Sequence, residues 1–450
     1  MKTVDLIVIG SGQGGIPLAT DFAKEGKNVV LFERDVLGGS CINYGCTPSK
    51  SFLASAHAAG RARQAEKLGV HTQVNVDFTT VMQRVRSIRD SFNHGIKQRL
   101  IDAGVKIVYA EASFIGERIV TGGDVTVQAP TVVINTGTSS LIPDIPGLAG
   151  TPYLTNYNFF DLNSLPPRLL VIGGGYIGLE LGQGLARLGS QTQIIVRGRR
   201  LLENEESEVS EVLVKALEQD GIKFHFNTQA QNITYKDNKF TVSLSTGETL
   251  QAEALLVATG RKPNTNALNT PATGVELDER GYIKVDDHFH TTCNGIYAIG
   301  DVAKQPAFTH ISWEDYRRLK AILSGKERTR NDRTLGYAIY TDPQVGRVGM
   351  TFEQAQKKGI NARYVTLPMS NIARAIEWGH ELGFYRMVID SDTDKILGAT
   401  LVGYEAGEIV HVFLSLIEAG ATWQLLEQSV HIHPTYGEAL PSLARLLINT

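Results

Sequence analysis

Two short glycine turns, each set between an apolar strand and a helix, constrain this chain more than any other feature. The first is Gly10-Ser11-Gly12-Gln13-Gly14-Gly15. The apolar run Val4-Asp5-Leu6-Ile7-Val8-Ile9 precedes it, and a helical pattern through Ala19, Phe22 and Ala23 follows. A second strand, residues 28–32, ends at Glu33. Strand, G-x-G-x-x-G, helix, strand and acid is the order of a dinucleotide-binding βαβ unit. Gly10 makes the tight turn, Gly12 lets the backbone approach a pyrophosphate, and Gly15 allows the helix to pack on the strand. The helix N-terminus faces the phosphates. Glu33 can accept hydrogen bonds from an adenosine ribose.

The pattern returns 163 positions later as Gly173-Gly174-Gly175-Tyr176-Ile177-Gly178. Gly173, Gly175 and Gly178 take the three glycine places, between a strand at 169–172 and a helix through Leu185 and Leu188. A strand at 192–196 follows, and the place of Glu33 falls to Val196, with Arg197, Arg199 and Arg200 close behind. A carboxylate there favours a free 2′-hydroxyl, whereas arginines accommodate a 2′-phosphate. The first site therefore suits an adenosine with a free ribose, and the second suits NADPH, with NADH as the alternative donor. The plainer reading of the three arginines is a solvated basic turn. Each unit also shows a late strand ending in Thr-Gly, residues 132–137 closing at Gly137 and residues 255–260 closing at Gly260. Residues 295–301 read as a strand running into Gly-Asp, where Asp301 can bind a ribityl or ribose hydroxyl.

These repeats predict an α/β fold with two Rossmann-like dinucleotide-binding domains and a C-terminal α+β domain. Pro143, Pro146 and Gly147 mark the exit from the first unit, and Arg261-Lys262-Pro263-Asn264 marks the exit from the second. The expected division is 1–145 with 264–330, then 146–263, then 331–450. The length agrees, because domains run about 100–200 residues. A net charge of -3 predicts neither a nucleic-acid nor an acidic-membrane partner. No signal peptide is visible, and no apolar run reaches the roughly 18 residues of a membrane helix. Three cysteines do not make a secreted disulfide framework, so a reducing cytoplasmic setting is expected.

Two of those cysteines lie in Gly38-Gly39-Ser40-Cys41-Ile42-Asn43-Tyr44-Gly45-Cys46-Thr47-Pro48-Ser49-Lys50. A zinc site would need two further ligands at finger-like spacing, and none is near. A dry, inert pair suits these glycines and polar residues poorly. Thr47 and Pro48 have helix-start character, and 51–59 is a plausible helix. Cys46 would then lie near the positive end of a helix dipole, which favours a thiolate. Lys50, four residues on, shares its face. Two nucleotide sites and one polarised dithiol suggest an electron relay.

Residues 38–50 resemble the G-G-x-C-x-N-x-G-C-x-P-x-K signature of the flavin-dependent pyridine nucleotide-disulfide oxidoreductases. Dihydrolipoamide dehydrogenase, glutathione reductase and mercuric reductase belong to that family. The resemblance runs through the whole chain. It takes in both glycine turns, Ala258-Thr259-Gly260-Arg261, Gly300-Asp301, Thr341-Asp342-Pro343, and His433-Pro434-Thr435 with Glu438. It implies FAD in the first site and NADPH in the second. It implies Cys46 as the thiol beside the flavin and Cys41 as the thiol that meets the acceptor. Lys50 would pair with Glu180 near the flavin, and Tyr176 would gate the nicotinamide side. His433, oriented by Glu438, would be the acid–base group, reaching the partner's Cys41 across a homodimer. Read alone, His433 before Pro434 is more often structural. His431 and His433 form an H-x-H without the further ligands of a metal site. His310 reads as a packing or cofactor-shell residue, and Cys293 as a small buried one.

The context of residues 43–56 is similar to short mercuric-reductase-like chains. Mercuric reductases also carry a C-terminal vicinal cysteine pair, which is not expected here. Gln13 and Thr20 stand where glutathione reductases hold their peptide with serine and arginine. Val196 stands where dihydrolipoamide dehydrogenases carry an acid. The expectation is an NADPH-preferring FAD disulfide reductase acting on a small disulfide or thiol-bound acceptor. Mercuric ion reductase and dihydrolipoamide dehydrogenase are the enzymatic alternatives, and a flavin-binding redox sensor is the non-enzymatic one.

Overall fold

A computed structural model describes residues 1–449; Thr450, the last residue of the expected third domain, lies outside them. The run before the first glycine turn forms the strand Leu6–Ile9, with all four residues buried. It is the middle strand of a five-stranded parallel sheet. Thr131–Ile134 and then Ile296–Ala298 lie on one side, Val29–Glu33 and then Lys106–Tyr109 on the other. Near-continuous apolar strands suit a parallel sheet covered on both faces. Helix α1 (Gly15–Lys24) leaves the turn, followed by α2 (Gly39–Asn43), α3 (Cys46–Gln64) and α4 (Phe78–Asp102).

The second turn repeats this arrangement. Arg168–Ile172 is flanked in parallel by Gln191–Ile195 and Ala254–Val257, with Lys223–His225 at the edge. Helices α5 (Tyr176–Leu188) and α6 (Ser207–Gln219) belong to this unit. In both units the glycine turn caps the C-terminal end of the central strand, where open α/β sheets bind ligands. Helix α7 (Thr309–Leu323) returns to α1, to which Tyr316 and Lys320 are tied through Asp21 at 2.8 and 2.6 Å. The C-terminal part is a five-stranded antiparallel sheet, ordered Gly336–Ile339, Gln344–Gly349, Ile396–Gly403, Phe384–Asp390 and Ala362–Pro368. Helix Ala406–Glu418 packs on it. Among the described residues, no helix is long and apolar enough to cross a membrane.

The helix expected at 51–59 is longer and begins at Cys46 itself. The five-residue α2, which carries Cys41, has no sequence signal; Gly38 and Gly39 before it read as loop.

The crossing of α3 and α5 fixes the relation between the two nucleotide units. A Cβ at Gly184 would lie 2.3 Å from Phe52 Cε1, and one at Gly60 would lie 2.7 Å from Arg187 Cδ. Phe52 is fully buried, so its ring has nowhere to retreat. The two glycines let the helices meet more closely than any side chain would allow. One face of α5 then holds the C-terminal part. Glu180 accepts from the Tyr340 amide at 2.9 Å, Gln183 exchanges two hydrogen bonds with the Asp342 backbone, and Arg187 Nη1 meets the Asp342 carboxylate at 2.6 Å.

Gly184→Ala should therefore cost about 1–3 kcal/mol through overpacking. Thermal unfolding should show the loss, and Phe52→Leu should restore part of it. An unchanged unfolding temperature in Gly184→Ala would show that the crossing has slack.

Candidate active site

The two glycine turns share one geometry, because each first glycine must pass under a backbone carbonyl. Gly10 has φ +98°, and a Cβ there would lie 2.4 Å from Asn135 O. Gly173 has φ +120°, and its Cβ would lie 2.3 Å from Ala258 O. Both conformations are left-handed and favour glycine. The last glycines, Gly15 and Gly178, pack on the carbonyls of Gly10 and Gly173, at 2.3 and 2.5 Å from an added Cβ. The turns differ in what surrounds them. Gly15 N donates to Asn135 Oδ1 at 2.9 Å, while Ala258 occupies the equivalent place in the second unit. Glu33 Oε2 accepts from Ser11 N at 3.0 Å and Ser11 Oγ at 2.5 Å. In the second unit the buried Val196 packs instead on Gly174.

A cavity of about 1350 Å³ opens from the first turn. That exceeds the roughly 300–1,000 Å³ of a drug-sized site and suits a dinucleotide. Gly10, Gly12, Glu33, Gly137 and Asp301 line it, as do both cysteines, Lys50, Glu180 and Tyr176. Asp301 Oδ2 accepts from the Thr138 hydroxyl at 2.7 Å, and Arg261 Nε lies 3.8 Å from the same oxygen. The cradle and the carboxylates Glu33 and Asp301 fit FAD, whose pyrophosphate and hydroxyls need those groups.

Both redox-loop thiols are free, with Cys41 half-buried on α2 and Cys46 at the first position of α3. Interaction with the Cys41 thiol lowers the Cys46 thiol to about 6, and the Thr309 hydroxyl and Lys50 ammonium help against the opposing cost of burial. Thr309 Oγ1 is 3.1 Å from Cys46 Sγ. The same interaction, with burial, pushes the Cys41 thiol far up. One thiolate is therefore shared by the pair, and it resides on Cys46. Lys50 Nζ meets Glu180 Oε2 at 2.8 Å and lies 4.5 Å from the centre of the Tyr340 ring. Burial pulls the Lys50 ammonium down, but Glu180 outweighs it and the pKa lies above the usual value.

Tyr176 begins α5, and its ring centre is 5.9 Å from that of Phe308. Burial pushes its phenol up to about 12, so it stays neutral. Gly175 faces open space, with nothing within 4 Å of an added Cβ, and Gly260 has φ +142°. Arg199 and Arg200 line a separate hollow of about 480 Å³ beside α6. Arg197 is exposed and is not part of that hollow's lining. His433 Nδ1 is 2.8 Å from Glu438 Oε2, yet neither lines the cavity of its own chain. His310 lines the cavity and bonds Gly336 O at 2.7 Å, and Cys293 is buried. The described residues contain no cluster of three or more metal-ligating side chains.

Sequence reasoning missed Asn135, Thr138 and Thr309. Asn135 follows a buried apolar strand, a place where a polar side chain needs a partner, and that was a usable signal. Thr309 opens a helix, but nothing local aims it at a cysteine 263 positions away.

Thr309→Val removes one hydrogen bond to the thiolate, worth roughly 1.5–3 kcal/mol. The Cys46 midpoint should rise by about one pH unit or more, read from thiolate absorbance or alkylation across pH. An unmoved midpoint would mean that the hydroxyl does not stabilise the anion.

Residues 4–315 match the family described as pyridine nucleotide-disulphide oxidoreductase, and residues 336–444 match its dimerisation domain. The dihydrolipoyl dehydrogenase of Haloferax volcanii is 33% identical, over 98% of this chain and 95% of its own. The mercuric reductase of Bacillus cereus is 33% identical, over 97% of this chain and 70% of its own. The HOCl-induced flavoprotein disulfide reductase RclA of Escherichia coli, solved also as a Cu(II) complex, is 30% identical with a TM-score of 0.91 for that complex. That alignment covers 99% of this chain and 100% of the other. The chain belongs to the pyridine nucleotide-disulphide oxidoreductases, FAD enzymes that carry electrons from NAD(P)H to sulfur groups.

Proposed function

We propose that this enzyme is an NADPH-preferring disulfide reductase whose acceptor is a small disulfide. The observation that carries the reading is that Cys41 and Cys46 open onto the same cavity as the glycine cradle and the Lys50–Glu180 pair. Bound FAD supplies the two-electron passage between the nicotinamide hydride and the dithiol. Gly10, Gly12, Gly15, Glu33 and Asp301 hold it, Lys50 and Glu180 set the charge beside it, and Tyr176 covers the nicotinamide face. Gly173, Gly175 and Gly178 cradle the NADPH pyrophosphate, with Gly260 beside them. Arg199 and Arg200, helped by Arg197, receive the 2′-phosphate.

Cys41 Sγ attacks one sulfur of the acceptor and displaces the first thiol. Cys46 Sγ then attacks Cys41 Sγ, releases the second thiol and closes the Cys41–Cys46 disulfide. The Cys41 proton leaves as its sulfur attacks; His433 of the partner subunit, steadied by its glutamate, takes it and gives it to the first departing thiolate, and the second departing thiolate takes its proton from solvent. This assigns the enzyme to a homodimer, because His433 and Glu438 stand apart from the cavity of their own chain. It divides the chain into an FAD domain (1–145 and 264–330), an NADPH domain (146–263) and an interface domain (331–450). The return of Ile296–Ala298 to the first sheet supports that division. Three free cysteines suit a cytoplasmic setting. A thiol-bound metal ion is the second acceptor class, because Cys41 and Cys46 offer two adjacent sulfurs.

Initial rates of NADPH oxidation should separate these roles. Parent enzyme should reduce at least one of a panel of small disulfides, and also ferricyanide, which draws electrons without the cysteines. Cys41→Ser should lose the disulfide activity and keep the ferricyanide activity. NADPH should exceed NADH in kcat/KM by about tenfold or more, given charge-assisted contacts worth roughly 1.5–3 kcal/mol. Undiminished disulfide turnover in Cys41→Ser would overturn the assignment. Substituting Hg(II) or Cu(II) for the disulfide tests the second class.

A further inference from the structure

The turn that carries His433 leaves Val430 and Ile432 exposed to solvent. The His433 side chain is 75% exposed, and Glu438 is its ion-pair partner. Within the turn, Thr435 Oγ1 donates to Ile432 O at 2.7 Å and accepts from Glu438 N at 3.2 Å. These local bonds shape the turn but do not anchor it. Tyr436, between Thr435 and Gly437, is where it meets other elements. Its hydroxyl is 2.6 Å from His380 Nδ1. The His380 ring stacks on Tyr404 at 4.4 Å and 21°, and Tyr404 lies 5.4 Å from Tyr436. Arg61, in the last turn of α3, places its guanidinium 4.9 Å from the centre of the Tyr404 ring. The column thus starts on the helix that begins with Cys46 and ends in the turn of His433.

We propose that His380 and Tyr436 are positioning residues that aim the His433–Glu438 pair. This rests on the reading of His433 as the acid–base group. The chemistry of the contact suits a fixed strut. Burial lowers the His380 pKa despite the facing Asp342 carboxylate, and Arg61 adds to the lowering, so the ring is neutral near pH 7. Burial likewise pushes Tyr436 up to about 12; Tyr404 and Glu405 add to this, and Arg374 and Arg61 oppose it. A neutral Nδ1 accepting from a protonated phenol gives a hydrogen bond whose partners do not change over the working pH range. Flanking aromatic rings restrict both side chains to one arrangement. A base displaced by even 1 Å loses much of its effect, so such a support has a catalytic consequence.

The test reads Cys41 and requires no knowledge of the acceptor. Reduced, FAD-loaded dimer is treated with iodoacetamide across pH, and Cys41 and Cys46 alkylation are followed separately by mass spectrometry. His433→Ala should slow Cys41 alkylation at pH 7 by on the order of tenfold or more. Tyr436→Phe and His380→Ala should slow it severalfold and move its pH midpoint upward, with Cys46 alkylation unchanged. His380→Asn should recover most of the rate, because its amide oxygen stands in for Nδ1 as acceptor. A normal Cys41 rate in His433→Ala would remove the base assignment and the inference with it. A slowed rate in His433→Ala with parent rates in Tyr436→Phe and His380→Ala would overturn the inference alone. So would His380→Asn behaving like His380→Ala, since a general packing defect would then explain both.

Discussion

Helix α3 begins with one redox cysteine and, one turn later, sends Lys50 to Glu180 on α5. That ion pair exists because Gly184 lets α5 lie against Phe52 of α3. Glu180 is almost wholly buried, so it needs both of its partners, Lys50 and the Tyr340 amide. Removing the cation would leave a buried carboxylate held only by the Tyr340 amide. The same face of α5 holds Asp342 through Gln183 and Arg187. One close helix crossing therefore sets three things at once: the charge beside the dithiol, the relation of the two nucleotide units, and the seat of the C-terminal sheet.

The dithiol gains its asymmetry from a different set of contacts. Two thiols five positions apart in sequence are chemically alike until the fold separates them. Cys46 is stabilised as a thiolate by the Cys41 thiol, the Thr309 hydroxyl and the field of Lys50, whereas Cys41 gives up its proton last. A low-pKa thiolate on Cys46 suits a sulfur that exchanges charge with a neighbouring cofactor. A protonated Cys41 needs an external base, the role proposed above for the partner's His433.

Motifs set by local spacing were legible in the sequence. Both βαβ turns, Glu33 and the Val196 that stands in its place in the second unit all sit within short windows, and α/β architecture follows from them, whereas the His433–Glu438 pair came only from the family resemblance. The helix at Cys46 was legible from Thr47 and Pro48, though its true start was not. Contacts that join distant segments were not legible. Asn135 reaches Gly15 across 120 positions and Thr309 reaches Cys46 across 263. Each depends on which strand neighbours which, information that no single window holds. The arginines show an intermediate case. Their number was read from the sequence, but only the fold separates Arg199 and Arg200, which line a hollow, from Arg197, which does not.

The central claim is that Cys46, not Cys41, holds the thiolate that faces the flavin. Titrating the FAD-loaded protein with reductant and recording its long-wavelength absorption tests this most directly. The account predicts a thiolate-to-flavin charge-transfer band after two-electron reduction of the parent. In Cys41→Ser the same band should be present without reduction, because Cys46 can no longer be drawn into a disulfide. In Cys46→Ser it should be absent. A band that survives the loss of Cys46 would contradict the account.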